Sequence, residues 1–156
     1  MSQVSHDTAT LNDLIAATFD SVDGYAEAGN QSDNDRLVAT FNERGVERLE
    51  VINALRSEVV RLGEEPDSDG TLLGSAHRLF LNLKSVVAGQ DDKAIIAEIE
   101  QGEDHLKAKF EHALADKKLS PQVMHVIRDC FTSIKHGHDQ MRDLKQAMNT
   151  DQALRV

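Results

Sequence analysis

The chain is 156 residues long, enough for one domain with a sizeable core. Two prolines, one tyrosine and no tryptophan stand against 40% hydrophobic residues rich in alanine and leucine, a balance that favours helix over sheet. A formal net charge of −10, spread along the chain, repels phosphate backbones and argues against a nucleic-acid partner.

The single cysteine, Cys130, excludes an intramolecular disulfide and fits a reducing compartment. It falls on the apolar side of its helical pattern, where a small core residue is expected rather than a nucleophile. No apolar run approaches the ~20 residues that cross a bilayer. The opening MSQVSHDTAT has neither a basic start nor an apolar stretch, so no secretory signal is read and a cytoplasmic protein without a membrane partner is expected.

Residues 1–9 read as a flexible N-terminal arm. The first helix is predicted over 11–28, with Thr10 as N-cap and Asp13 completing a capping box. Its inward stripe is Leu11, Leu14, Ile15, Thr18, Val22 and Tyr25. Residues 29–33 turn the chain, too briefly for anything but an antiparallel neighbour. A second helix over 34–62 carries Val38, Phe41, Gly45, Arg48, Ile52, Leu55, Val59 and Leu62 at the 3,4 spacing of a helix packed lengthwise. Gly63 then suits the C′ position.

After an acidic, turn-rich stretch, a shorter helix is predicted over 71–87. His77 and Arg78 lie on it, outside the main seam, where capping or docking suits them better than catalysis. A fourth helix over 92–115 turns Ile95, Ile99, Gly102, Leu106 and Phe110 inward. The fifth has the clearest start in the chain, Ser120 as N-cap and Pro121 at N1, and frays near Met148. Residues 10–148 are thus one domain, with 149–156 as a tail. No strand pattern or repeat is present. The shorter helix, about 17 residues rising ~25 Å, is long enough to bring the chain back along the bundle. The fold expected is an all-α, ferritin-like antiparallel four-helix bundle, one crossover carrying the fifth, shorter helix.

Each long helix interrupts its apolar seam. The breaks are Gly45 with Arg48, Gly102 with Glu103, and Gly137 with His138, with Thr18 at the matching level of the first helix. A bundle that removes bulk and inserts ionisable groups at one level builds either a site or a buried polar network.

The stretches LNDLIAATFDSVDGYAEA, FNERGVERLEVINALRSEVVRLGEEP, LGSAHRLFLNLK, DDKAIIAEIEQGED and IKHGHDQMRDL resemble an uncharacterised bacterial family of ferritin-like four-helix-bundle proteins. They cover most of residues 11–144 in the family's order. The resemblance implies a ferritin-like bundle, often in stress-related genomic settings, and brings no catalytic residues with it. The chain departs from the family pattern at Phe80 and Gln101, where a tryptophan and an arginine are expected.

The sharpest chemical possibility is a di-iron centre, which takes one Glu from each of two helices and a Glu-x-x-His pair from each of the other two. The chain has the ingredients without the pattern. Lys135 stands three before His138, and the second helix has no histidine. The candidate ligands are Glu103 and His138, with Glu100, Glu47, Glu50 and Asp23 as weaker ones that point mostly outward. A nearby Arg48 opposes a cation. The preferred reading is a buried network of Arg48, Glu103, His138, Thr18 and Tyr25, with no cofactor. Function then divides in two. The leading expectation is a non-enzymatic bundle acting by self-association or by binding a protein partner. The alternative is a ferritin-like protein binding iron or another divalent metal, with oxidase or iron-handling activity.

Overall fold

A computed structural model describes residues 2–67 and 92–154. Those residues form four helices and no strand: α1 (Gln3–Gln31), α2 (Asp35–Arg61), α3 (Asp92–Leu114) and α4 (Pro121–Leu154). The shorter helix expected over 71–87 lies outside the described residues.

Helix α1 starts eight residues earlier than its sequence suggests, so most of the expected arm is helical. Ser2, not Thr10, is the N-cap, its hydroxyl accepting from the Ser5 N–H at 3.0 Å. The polar run from Gln3 to Thr10 hides the helix because its one buried group is an acid. Asp7 is 1% exposed and accepts from the Gln3 side chain at 2.9 Å and from the Ser120 N–H at 3.1 Å. That second bond satisfies a donor at the start of α4, where the Ser120 hydroxyl itself has no partner. At its other end α4 continues past the expected fraying point to Leu154.

The ends of α2 follow the sequence closely. Asn34 caps it, its side chain accepting from the N–H groups of Arg36 and Leu37. Gly63, at φ +82°, donates to the Val60 carbonyl while Glu64 donates to Val59, the paired bonds of a Schellman ending that glycine adopts without strain.

Three-residue and six-residue links make α1·α2 and α3·α4 antiparallel neighbours, and α1·α3 and α2·α4 also pack together. Pairings along α1 fix the direction of α3. His6 meets Asp116 at 2.7 Å, Asp13 meets Lys109 at 3.2 Å, and Ser32 meets Asp92 at 2.8 Å. Low numbers on α1 meet high numbers on α3, so the two are antiparallel and α2 and α3 point the same way. The chain leaves α2 beside Asn12, which accepts from the Asp67 N–H, and enters α3 beside Ser32 at the opposite end.

The core is divided. One cluster holds Leu11, Leu14, Ile52, Leu55, Phe110 and Ile127 among others; a second holds Tyr25, Leu37, Phe41, Ile96, Ile99 and Met141. Each such side chain, fully buried, contributes about 1.5–3 kcal/mol. Between the two clusters runs the level of polar residues.

Candidate functional site

The polar level is built around Arg48 and Glu103, both fully buried. The guanidinium donates from Nη2 to Glu103 Oε2 at 2.7 Å, linking the diagonal helices α2 and α3 through the middle of the bundle. The other carboxylate oxygen accepts from the Tyr25 hydroxyl at 2.8 Å. Arg48 Nη1 donates to the Ser133 carbonyl of α4 at 3.3 Å, so one arginine and its acid touch all four helices. An ion pair this deep holds only with such additional bonds, since each desolvated charge costs several kcal/mol. Burial, and then the charge of Glu103, raises the Tyr25 phenol well above its ordinary 10.0, against the opposite pull of Arg48 and Arg44. Tyr25 is therefore a permanent donor at neutral pH.

Gly137 makes this geometry possible. A Cβ built there would stand 2.3 Å from Arg48 Nη2 and 3.1 Å from its Cζ, so the guanidinium occupies the space of the missing side chain. Gly45 serves less sharply, with the Tyr25 Cβ at 4.0 Å.

The other residues singled out by the sequence are placed differently. Thr18 is buried at this level, but its hydroxyl donates to the Leu14 carbonyl of its own helix at 2.6 Å. His138 faces the rim of the α3–α4 seam instead of the Arg48–Glu103 pair. Its Nε2 lies 2.6 Å from Asp104 and its Nδ1 3.2 Å from Asp139. Hydrogen bonds from Lys135 and His138 hold the Asp139 carboxyl down to about 2.

The candidate metal ligands are dispersed. Both oxygens of Glu103 are engaged, Glu100 pairs with Lys145 at 3.1 Å, Glu47 with Arg44 at 2.8 Å, and Asp23 and Glu50 are exposed. Among the described residues no three His, Cys, Asp or Glu side chains are grouped to hold a metal ion. A di-iron centre does not fit the donor set of the described residues: its central carboxylate already serves a guanidinium and a phenol.

Besides Asp7, two buried ionisable groups have no signal in the single-stripe reading. Arg44 is 5% exposed, and Glu58, equally buried, is held by Arg61. The buried face of α2 holds Leu37, Phe41, Arg44, Arg48, Val51, Ile52, Leu55, Glu58 and Val59, wide enough to take in Arg44, which the single stripe through Phe41, Gly45 and Arg48 leaves out. Arg44 lies one turn before Arg48, on the same side, which was the available signal. Arg44 Nη1 lies 3.3 Å from the point where a Gly137 Cβ would be, close to Arg48. Like charges brought together in this way repel, and more strongly away from water.

The opposite face of α2 has the reverse character. Val46 and Val60 are 58% and 62% exposed, and Leu49 is 43% exposed. With Asn53 between them they form one stripe on the outer side of the helix, away from Arg48 and Leu55. Among the described residues only Val4 is a comparably exposed large apolar side chain. Glu43 stands at one end of the stripe, Glu50 beside its length, and Glu64 and Glu65 at the other end; all four are exposed. No described helix is long and apolar enough to cross a membrane.

Residues 7–116 match the family described as Domain of unknown function (DUF2383), and the chain belongs to that family. The matched region includes Tyr25, Arg48 and Glu103 and ends before Gly137 and His138. No curated protein matches the chain.

Proposed function

From that family membership and this geometry, we propose that the protein is a non-enzymatic, ferritin-like bundle, with one crossover between α2 and α3, that works by binding another protein on the outer face of α2. The observation that carries the reading is the exposed stripe Val46–Leu49–Val60. Single exposed apolar residues are ordinary; three on one helical face, spaced over 14 residues or about 21 Å, form a helix-sized docking strip. The interior pair supports the same reading from the other side. Both Glu103 oxygens and both terminal nitrogens of Arg48 are engaged with one another, with Tyr25 or with backbone, as in a structural network.

Charge selects the partner. Carboxylates stand at both ends of the stripe, so a second copy laid antiparallel would oppose Glu43 with Glu64 and Glu65 of its mate. Like charges so placed disfavour self-association. An amphipathic helix with apolar anchors and lysine or arginine at its ends is complementary in both respects.

A photo-crosslinking side chain at Asn53, with one at exposed Arg128 on α4 as control, tests this in cells. The reading expects an adduct with a different, basic protein from position 53, lost in the triple variant Val46→Ser, Leu49→Ser, Val60→Ser. An adduct with a second copy would replace partner binding by self-association. Equal labelling from both positions would remove the docking face altogether.

A further inference from the structure

The two arginines of α2 are supplied with fewer acceptors than they have donors. Arg48 Nε and, on Arg44, both Nε and Nη1 are buried without a hydrogen-bond partner among the described residues. Buried donors of this kind are rare in folded proteins. Their charge is also incompletely balanced. Glu103 is committed to Arg48, and the one carboxylate on Arg44 belongs to Glu47, whose side chain is 37% exposed while that of Arg44 is 6% exposed. Both guanidiniums reach the same place, each with an atom within 3.3 Å of the missing Gly137 Cβ. The phenol of Tyr25 cannot offset them, because it stays protonated.

We propose that Arg44, backed by Arg48, is a binding site for a small oxyanion at the α2–α4 seam, with Glu47 as the resident carboxylate that the ligand displaces or joins. A guanidinium is built for this class of ligand. Its planar donors match the oxygens of a carboxylate or phosphate, and its charge persists at any working pH. Glu47 occupies Nη2 from the solvent side, and the unpartnered Nε and Nη1 remain for the incoming oxygens. Carboxylate and phosphate share this chemistry, and the experiment separates them. The site lies on the inner side of α2, so it is independent of the outer docking stripe.

The test follows thermal unfolding and ligand NMR line width during titration with inorganic phosphate or with acetate, at fixed ionic strength set by chloride. Wild type, Arg44→Gln and Glu47→Gln are compared. An anion bound to the folded state raises the midpoint along a saturable curve, whereas exclusion of phosphate from the protein surface acts without saturation and equally on all variants. The site predicts saturable stabilisation in wild type with one anion or both, and its loss in Arg44→Gln. It also predicts binding about fivefold tighter in Glu47→Gln, where the competing carboxylate is gone. Should Arg44→Gln fail to fold, the Glu47→Gln comparison and the phosphorus line width still decide. Identical unsaturable responses in all proteins, weaker binding in Glu47→Gln, or an adventitious ion only, unaffected by either substitution, would overturn the assignment.

Discussion

The two faces of α2 reverse the usual arrangement: arginines 44 and 48 point into the bundle, and valines 46 and 60 with Leu49 point out of it. For Arg48 the inner exception is explained within the chain. Arg48 finds Glu103, the Ser133 carbonyl and the space left by Gly137. The outer exception has no counterpart among the described residues. Charge placed inside against a counter-charge of the same chain reads as architecture, because the chain supplies the ion pair. Apolar surface placed outside reads as use, because what covers it must come from elsewhere.

The comparison is broken most forcefully at Glu103. Glu103→Gln leaves Arg48 without its counter-charge and is expected to cost on the order of 3 kcal/mol in denaturant unfolding. Three residues earlier, Glu100 pairs with Lys145 at the edge, where Lys145 is 39% exposed; Glu100→Gln should change stability by less than about 0.5 kcal/mol. Replacing Arg48 and Glu103 together by Met and Leu should cost less than the single change, since no stranded charge remains. Equal, small effects from all three variants would mean that the interior pair is solvated in practice.

Gly137→Ala comes next. The new methyl collides with the Arg48 guanidinium, which cannot retreat without leaving Glu103. A loss of about 1–3 kcal/mol is expected, although alanine is the better helix former. A stabilised Gly137→Ala protein would show that the arginine is not packed against α4.

The smallest stability effect belongs to the outer face. The triple serine variant of Val46, Leu49 and Val60 should unfold within about 1 kcal/mol of wild type, because these side chains give up little contact. A large loss would place the stripe against something within the molecule and withdraw the docking face.

Much of the interior was legible in advance because helix packing has a period. The stripe Phe41, Arg48, Ile52, Leu55 and Val59 follows from spacing alone, and the Arg48–Glu103 pair from the two charges that interrupt opposing seams. Spacing does not reveal tertiary rescue. Asp7 is tolerated inside α1 only because Gln3 and the Ser120 N–H meet it, so a polar arm was the natural reading of a helical segment. His138 is on the seam by count, yet its ring turns toward Asp104 and Asp139, an option that depends on where α3 lies. A single 3,4 stripe leaves Arg44 out because the buried face of α2 is wider than one stripe: at about 100° per residue Arg44 falls near its centre and Gly45 at its edge. Tyr25 is inward by spacing, but its hydrogen bond to Glu103 spans 78 residues and has no local signature.

That bond supplies the most direct test, because Tyr25 is the only tyrosine and there is no tryptophan. Its folded value is raised above the ordinary 10.0, so its contribution to stability is fully present below pH 10 and is lost as pH rises through the folded value. Phenolate absorbance and helical circular dichroism followed together on alkaline titration read this at one residue. The buried network predicts no phenolate signal near pH 10 in the folded protein, then ionisation at clearly higher pH in step with loss of helix, while the urea-unfolded chain titrates near 10. Reversible ionisation near 10 with the helices intact would show that Tyr25 meets water and that the Arg48–Glu103 level is not a closed interior network.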